Sequence, residues 1–263
     1  MVTRASMIID LDGTVYRGDK LVEHAQSFFE ILNHTDCKYT VLTNCSRRVP
    51  AELALDLKAL GLDVPTGNIV TSACIAKEYF RNLGKKVRVC AIGSSSFKAY
   101  LRADDVELVE GIGNAADYVI VGFCTDFTYD DLSCALWHIC RGAKFLATNL
   151  DETIPVGDCV LPHTGALCAF LERASKQEPI NLGKPSMYAG RYFRRLFGSD
   201  TIHVVGDRID TDMLFAKNNG FIGCLVLTGI TTRHQTDSAS QFYHVFDNLQ
   251  KLCEFIGLMP TVP

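Results

Sequence analysis

Two carboxylates with the spacing of a metal and phosphate site lie near the start of the chain. The sequence DLDGT (residues 10–14) directly follows the apolar run MII (residues 7–9). Side chains at positions i and i+2 of a strand point to the same side, so Asp10 and Asp12 are predicted to converge just past a strand end. Two such acids suit a divalent cation and a phosphate, and Gly13 gives the sharp turn and the clearance that a phosphate needs. An acidic turn that caps backbone amides is the alternative that this pentapeptide alone leaves open.

Three further groups of polar residues follow apolar runs or precede helical patterns later in the chain. They are Thr43 and Asn44, then Lys184, then the acids Asp207, Asp210 and Asp212. Each group alone has an ordinary alternative: a helix cap for the hydroxyl and amide, a solvated lysine, and stabilisation of a helix dipole for the late acids. Ligand sites of open parallel sheets lie at the carboxyl ends of the strands. Together, and in this order, the four groups are hard to explain by four separate ordinary roles.

Short apolar runs alternate with amphipathic segments along most of the chain, which predicts β-α units on a parallel sheet. The predicted strands cover residues 7–9, 38–43, 85–92, 118–123, 144–147, 201–205, 224–227 and 243–246. The predicted helices cover residues 25–33, 51–60, 72–83, 130–141, 166–175, 186–196 and 212–219. Pro50 and Pro185 each stand where a first helical residue is expected. The expected fold class is α/β, with a doubly wound parallel sheet of the Rossmann-like type.

The polar groups that follow strand ends come from the two ends of the chain, whereas the middle holds its own alternation of strands and helices. This arrangement predicts a catalytic core of residues 1–73 and 181–263, with an α/β cap domain of residues 74–180 inserted into it. Inside the insertion, GIGNAA (residues 111–116) imitates a dinucleotide-binding motif, but it precedes a predicted strand instead of following one. We therefore predict a loop there.

The composition excludes several classes of function. Apolar residues make up 48% and charged residues 21%, as in ordinary globular proteins. The net charge of −4 comes without a large lysine and arginine cluster, so no nucleic-acid partner is expected. No apolar run approaches about eighteen residues and no secretory signal is evident at the start, so we expect no membrane partner and a cytoplasmic location. Eleven cysteines without the spacing of a disulfide or zinc framework fit a reducing compartment.

The four polar groups, in this order, resemble the ordered motifs of the haloacid dehalogenase (HAD) superfamily, whose fold is a Rossmann-like core. A large α/β cap inserted between the second and third motifs resembles the class IIA branch, the NagD-like and 4-nitrophenylphosphatase-like phosphatases. Five segments carry this closer resemblance: DLDGTVYRG (10–18), LTNCS (42–46), ATNLD (147–151), TGAL (164–167) and GDRIDTD (206–212). The resemblance spans nearly the whole chain.

The resemblance implies a role for each residue of the first three groups. Asp10 would attack phosphorus and form an aspartyl-phosphate, which divides one difficult displacement into two easier ones. Asp12 would protonate the leaving alcohol and then accept a proton from the hydrolytic water. Thr43 and the amide of Asn44 would bind the phosphoryl group, and Lys184 would offset its charge and that of the nucleophile.

The resemblance also implies Mg²⁺ as the cofactor. Its ligands would be the Asp10 carboxylate, the backbone carbonyl of Asp12 and Asp207, all of them the oxygen donors that this ion prefers. Asp212 would orient these ligands, with help from Asp210. Specificity would come from the cap, because the core motifs contact only the phosphoryl group. The candidate cap residues are Asn149, Asp151, His163 and Thr164.

The function expected is Mg²⁺-dependent hydrolysis of a small phosphomonoester, such as a nucleoside monophosphate, a sugar phosphate or an aryl phosphate like p-nitrophenyl phosphate. The carboxylate of Asp12 favours phosphatases and phosphomutases over dehalogenases and transport ATPases. A phosphomutase or a sugar-phosphate sensor with little turnover remains an alternative on the same fold. A non-enzymatic phospho-accepting signalling module is disfavoured by the late acids between Asp207 and Asp212. A homodimer is compatible with the resemblance.

Overall fold

The computed structural model of the chain describes residues 5–156, 159–236 and 242–258. These residues divide into two compact units. The second unit comprises Asn44–Val49 and Thr71–Gly183, and the first comprises the other described residues. The chain therefore passes from one unit to the other after residues 43, 49, 70 and 183.

The described residues form strands, α-helices and a few single helical turns. The strands are β1 (Ala5–Ile9), β2 (Tyr16–Arg17), β3 (Lys20–Leu21), β4 (Lys38–Thr43), β5 (Ile69–Thr71), β6 (Val87–Ile92), β7 (Val106–Leu108), β8 (Tyr118–Val121), β9 (Lys144–Ala147), β10 (Thr153–Val156), β11 (Cys159–Pro162), β12 (Ile180–Asn181), β13 (Thr201–Gly206), β14 (Ile222–Val226) and β15 (Tyr243–Phe246). The α-helices are α1 (Ala25–Asn33), α2 (Pro50–Ala59), α3 (Ser72–Arg81), α4 (Ser95–Leu101), α5 (Tyr129–Cys140), α6 (Thr164–Ser175), α7 (Met187–Phe197), α8 (Leu214–Asn219) and α9 (Leu249–Phe255). The single turns are 3₁₀-helical at Thr66–Asn68 and Arg233–Gln235 and π-helical at Ile209–Met213.

A six-stranded sheet with the order β15-β14-β13-β1-β4-β5 organises the first unit. β1 lies between β13 and β4 and is parallel to both, with Ile9 level with Val205 of β13. Parallel strands that are in register end at the same edge of a sheet. The sheet therefore brings Asp10, Thr43 and Asp207 to one edge, because each lies at or just after the end of one of these three strands.

Strand β1 lies in the core of the first unit, which is why residues 7–9 are all apolar. Met7, Ile8 and Ile9 are at most 1% exposed, as expected for a central parallel strand that is covered on both faces. The buried cluster around β1 also contains Phe28 of α1 and Leu252 of α9.

A five-stranded sheet with the order β12-β9-β8-β6-β7 organises the second unit, and its pairings are parallel. Helices α5 and α6 pack on this sheet and share a buried cluster with it that includes Val119, Ile139 and Leu171. Strands β10 and β11 form a separate antiparallel hairpin.

The predicted α/β fold class with parallel sheets is confirmed. Each predicted strand and helix matches an observed one, and the ends differ by two residues or fewer. The prediction for Pro50 is confirmed because α2 begins there, but the prediction for Pro185 is wrong. Helix α7 begins at Met187, and the hydroxyl of Ser186 caps it by accepting a hydrogen bond from the Ala189 N–H.

Several short elements were not predicted from the sequence. They are the strands β2, β3, β5, β7, β10, β11 and β12 and the helices α4 and α9. These strands span two to four residues and these helices seven, so their periods are weak in the sequence. Length alone does not decide, because the four-residue strands β8, β9 and β15 were predicted. Residues 111–116 form a loop, as predicted. None of the helices in the described residues is long and apolar enough to span a bilayer.

Candidate active site

A buried lysine lies between two aspartates in the first unit. The Nζ of Lys184 donates to Oδ1 of Asp10 at 2.5 Å and to Oδ1 of Asp212 at 2.7 Å. Asp10 follows β1 directly, and its N–H donates to the Val205 carbonyl of β13 at 2.8 Å. Hydrogen bonds between charged groups are short and strong, so this arrangement holds the Asp10 carboxylate in one orientation.

The loop that carries Lys184 is held by two asparagines at the end of α8. Asn218 donates to the Pro185 carbonyl at 3.1 Å, and Asn219 donates to the Ser186 carbonyl at 3.4 Å. These contacts fix the backbone on the C-terminal side of Lys184, so its long side chain enters the site from a defined point.

A third acid, Asp207, lies just beyond β13. Its Oδ2 accepts the Ile230 N–H at 2.7 Å. The hydroxyl of Thr14 lies 3.2 Å from Oδ2 of Asp10 and 3.5 Å from Oδ1 of Asp207, so its one proton can be donated to either carboxylate. The π-helical turn after β13 then brings Asp212 back to the group, where its Oδ2 accepts the Arg208 N–H at 3.2 Å.

Two glycines leave the space that Asp207 occupies. A Cβ at Gly13 would lie 2.4 Å from Oδ2 of Asp207, and a Cβ at Gly229 would lie 1.7 Å from the same atom. Gly13 also has a φ of 87°, a left-handed conformation that other residues rarely adopt. The sharp turn predicted for Gly13 is therefore present. A side chain at this position would clash with a carboxylate oxygen of Asp207.

Burial changes the ionisation of these groups. It raises the pKa of Asp10, Asp207 and Asp212 to about 6 each, with Lys184 opposing the rise. Burial alone would lower the pKa of Lys184, but the adjacent Asp10 and Asp212 carboxylates outweigh it and raise that pKa. Lys184 is therefore protonated and positively charged at neutral pH.

The three buried acids fit a divalent cation. One ligand oxygen from each of Asp10, Asp207 and Asp212 lies within 4.8 Å of the other two. When ionised, the three carboxylates carry −3, which Lys184 reduces to −2. Buried charge is costly unless it is paired, so the site favours a small cation of charge +2 that takes oxygen ligands.

Two of the predicted acids are not part of this buried group. Asp12 is exposed, so solvent and a substrate can reach it. Asp210 points outward and is paired with the guanidinium of Arg208 at 2.7 and 3.0 Å, which lowers the pKa of Asp210. The predicted help of Asp210 at the metal stays a prediction. Thr43 is buried at the end of β4.

The predicted cap residues form one hydrogen-bond network in the second unit, together with Asn44. Asn149 donates through Nδ2 to the Asn44 carbonyl at 2.8 Å and to Oγ1 of Thr164 at 3.3 Å. Its Oδ1 lies 3.1 Å from Nδ1 of His163. Asn44 in turn donates through Nδ2 to Asp151 at 3.0 Å. Asn149 and Thr164 are fully buried, so in this structure they contact other residues of the second unit rather than solvent.

Sequence reasoning missed several members of this network and of the acid group. The hydroxyl of Ser72 donates to the Asn44 carbonyl at 2.7 Å, and the ring of Phe123 stacks on His163 at 4.4 Å between centroids. Ser46 accepts the Phe123 N–H at 2.8 Å. Thr14 was visible in the DLDGT segment, but Ser72 and Phe123 lie in apolar surroundings that carry no motif.

A second group of metal-ligating residue types lies in the second unit, formed by Cys90, Cys134 and His138. The Ala116 N–H donates to Nδ1 of His138 at 3.1 Å, so Nδ1 is the acceptor. The proton of the neutral ring is then on Nε2, which faces the Gly111 carbonyl at 3.1 Å. Neither ring nitrogen has a lone pair left for a metal. Internal hydrogen bonds therefore account for this histidine.

The chain is similar in sequence to known hydrolases. Residues 7–107 match the haloacid dehalogenase-like hydrolase family, and residues 181–252 match a HAD-hydrolase-like family. The chain is 31% identical to the acid sugar phosphatase of Staphylococcus saprophyticus, and the match covers 89% of this chain and 90% of that protein.

Solved structures of two phosphatases have the same fold. The 4-nitrophenylphosphatase of Thermotoga maritima is 29% identical, with a TM-score of 0.87 over 95% of this chain and 96% of that one. The glycerol phosphate phosphatase of Mycobacterium tuberculosis, solved in complex with magnesium, is 28% identical, with a TM-score of 0.87 over 95% of this chain and 76% of that one. The chain therefore belongs to the haloacid dehalogenase-like hydrolases, in their NagD-like and 4-nitrophenylphosphatase-like branch, and is a phosphatase.

Proposed function

We propose that the chain is a Mg²⁺-dependent phosphomonoester hydrolase that acts on a small phosphorylated metabolite through an aspartyl-phosphate on Asp10. The observation that carries this proposal is the buried group of Asp10, Asp207 and Asp212 around Lys184. Its residual charge of −2 suits one divalent cation, and Asp10 lies at the carboxyl edge of the sheet, where open α/β folds bind their ligands.

The reaction has two steps, and the protein supplies the groups for each. In the first, a carboxylate oxygen of Asp10 bonds to phosphorus, the bond to the leaving oxygen breaks, and Asp12 gives that oxygen a proton. In the second step, the oxygen of a water molecule bonds to phosphorus while Asp12 takes a proton from that water. The Asp10–phosphorus bond then breaks and inorganic phosphate leaves. The exposure of Asp12 supports its role, because an acid-base group must reach both the leaving group and water.

Charge neutralisation comes from several directions. Lys184 offsets the negative charge of Asp10 and of the incoming phosphoryl group, while Thr43 and the N–H of Asn44 donate to the phosphoryl oxygens. Mg²⁺ would be held by Asp10, the Asp12 carbonyl and Asp207, and would neutralise charge on the phosphoryl group. Asp212 orients the site through its hydrogen bond to Lys184.

We propose that residues 1–73 and 181–263 form the catalytic core and that residues 74–180 form a cap that selects the leaving group. The relatives are named for different phosphate esters: one is an acid sugar phosphatase, one a glycerol phosphate phosphatase and one a 4-nitrophenylphosphatase. Small sugar, polyol and aryl phosphates are therefore the first substrates to test. Within the cap, Asp151 and His163 remain candidates for contact with the leaving group. His163 belongs to the Asn44 network through its contact with Oδ1 of Asn149, and Asp151 is partly exposed.

The substitution Asp10→Asn tests the mechanism. We expect it to abolish phosphate release from a panel of phosphomonoesters, because an amide cannot attack phosphorus, while orthovanadate still binds in the presence of Mg²⁺. The measurements are inorganic phosphate release, with and without chelator, and vanadate binding by calorimetry. Asp63→Asn is the control, because it makes the same change at an exposed acid of the first unit and should keep wild-type turnover.

An Asp10→Asn enzyme with near wild-type turnover would rule out the aspartyl-phosphate. Binding of phosphate esters by the wild type without release of phosphate would instead favour a phosphomutase or a sensor.

A further inference from the structure

The carbonyl group of Asn44 is held by two buried side chains of the second unit. The hydroxyl of Ser72, the first residue of α3, donates to it at 2.7 Å, and Nδ2 of Asn149 donates to it at 2.8 Å. Both donors have no solvent exposure. We call Ser72 and Asn149 the Asn44 clamp. A carbonyl oxygen has two lone pairs, so the clamp uses its full accepting capacity.

The side chain of Asn44 is held as well. Its Nδ2 donates to Oδ2 of Asp151 at 3.0 Å. A Cβ at Gly183 would lie 2.6 Å from Oδ1 of Asn44, so the glycine lets the backbone pack directly against this amide. With both its carbonyl and its side chain fixed, the Cα of Asn44 is held, and so is the position of the backbone nitrogen bonded to it.

The orientation of the Asn149 amide is itself determined. The Asp151 N–H donates to Oδ1 of Asn149 at 3.1 Å, and a backbone N–H can only donate. Oδ1 is therefore the acceptor on that side, and Nδ2 must face the Asn44 carbonyl. The ring of His163, 3.1 Å from the same Oδ1, adds a second donor. A reversed amide would place two donors against each other, so the clamp has one low-energy arrangement.

Asn44 is joined by a peptide bond to Thr43, and its N–H is one of the proposed phosphoryl donors. We infer that Ser72 and Asn149 are positioning residues for phosphoryl transfer, which act by fixing the backbone nitrogen of Asn44 and, with it, the point where the chain leaves Thr43. This inference rests on the proposed function. Catalytic donors must be held within a fraction of an ångström of their working positions, which gives a buried clamp on the adjacent carbonyl a direct effect on rate.

The test uses the full chain with Mg²⁺ and the variants Ser72→Ala, Asn149→Ala and the double variant. We expect kcat/KM for p-nitrophenyl phosphate to fall about 3- to 10-fold for Ser72→Ala and about 10- to 100-fold for the double variant. The inhibition constant of orthovanadate should rise by a similar factor, because vanadate occupies the phosphoryl position. The ratio of kcat/KM between p-nitrophenyl phosphate and glycerol phosphate should stay constant, because the clamp acts on the shared phosphoryl group.

The matched control is Ser6→Ala, which removes another fully buried serine hydroxyl, bonded to Asp200 at 2.9 Å in the first unit. It should lower Tm while kcat/KM per folded molecule stays within about twofold of wild type, as expected for a hydroxyl that contributes only to stability. If Asn149→Ala does not fold, Ser72→Ala alone tests whether the clamp affects activity, because it leaves Asn149 and its partners intact.

Three outcomes would overturn the inference, and they are distinguishable. Clamp variants with the activity per folded molecule of Ser6→Ala would show that the clamp is only structural. A changed substrate ratio for Asn149→Ala would show that this residue contacts the leaving group. A wild-type protein that releases no phosphate from any phosphomonoester with Mg²⁺ would contradict the proposed function itself, and the inference with it.

Discussion

Asp10 is placed in an environment that penalises its charge and also holds its orientation. Burial raises its pKa to about 6, and Lys184 opposes that rise by donating to the carboxylate at 2.5 Å. The same lysine donates to Asp212, so it connects the acid after the π-helical turn with Asp10 at the end of β1. One side chain thereby sets the position of two carboxylates, and its loss would leave both buried and unpaired.

The raised pKa values predict how pH and metal affect stability. Asp10, Asp207 and Asp212 have pKa values of about 6 in the fold against 3.8 as the reference. The folded state therefore binds more protons than the unfolded chain between these values, and the free energy of unfolding falls as pH rises from about 4 to about 6. A metal that binds the ionised acids offsets this loss above pH 6.

We therefore expect Mg²⁺ to raise Tm more at about pH 7.5 than at about pH 5, because the carboxylates that bind it are ionised only at the higher pH. Differential scanning fluorimetry with and without 10 mM Mg²⁺ measures the difference. Asp63→Asn should show the same pH dependence as the wild type, since it removes a distant exposed acid. Equal Mg²⁺-induced shifts at both pH values would contradict the assignment of these acids to the metal.

The segment that follows β1 contains two glycines in the left-handed conformation. The φ of Gly13 is 87°, and the φ of Gly18, a few residues later, is 60°. Both glycines therefore adopt the left-handed conformation. They differ in their surroundings, because a Cβ would meet Asp207 at Gly13 but has no heavy atom within 4 Å at Gly18.

This pair of glycines separates backbone strain from crowding of the site. We expect Gly18→Ala to cost about 1 kcal/mol of stability and to retain activity. Gly13→Ala carries the same strain and also displaces the Asp207 carboxylate, so kcat/KM should fall by at least about 100-fold. Chemical denaturation and phosphate release measure the two effects. Similar activity in both variants would contradict the steric role of Gly13.

The molecule as a whole consists of two compact units with separate cores. The buried cluster around β1 draws only on the first unit, and the cluster that contains Val119, Ile139 and Leu171 draws only on the second. Residues 71–183 form a continuous segment that contains the whole five-stranded sheet, its helices and this second cluster. Such a segment meets the usual requirement for independent folding.

We expect residues 71–183, expressed alone, to show mixed α/β circular dichroism and a cooperative thermal transition. The Tm of the fragment should be lower than that of this unit in the intact chain, because the fragment lacks Ser46, whose hydroxyl accepts the Phe123 N–H. Adding residues 44–49 to the fragment through a linker tests the contribution of Ser46. The Tm of the fragment should then rise. A fragment without a cooperative transition would show that its core needs the rest of the chain.

Much of the fold could be predicted from the sequence, because local periodicity reports secondary structure directly. Strands β4, β9 and β15 and helix α1 were predicted with their observed ends. The hairpin β10–β11 and the two-residue strand β12 could not be predicted, since such short strands exist only through their partners. Pro185 was misplaced because a proline before a helix fits either its first position or the turn before its cap.

The candidate site was partly predictable for a similar reason. The acids Asp10, Asp207 and Asp212 lie at strand ends or helix starts, and such positions can be read from the pattern. Asp210 has the same local signature, yet the structure pairs it with Arg208 and leaves it exposed. Sequence spacing could not separate Asp210 from Asp212, because the π-helical turn that directs their side chains depends on packing.

By itself, the sequence determined the parallel α/β class, most of the elements and the residue types that could carry phosphoryl-transfer chemistry. These properties follow from periodicity and from residues close together in the chain. Only the tertiary structure decided that Lys184 bridges Asp10 and Asp212, that Gly13 makes room for Asp207, and that Ser72 holds Asn44. Each of these contacts joins residues that are far apart in sequence, and burial away from water is what gives such contacts their strength.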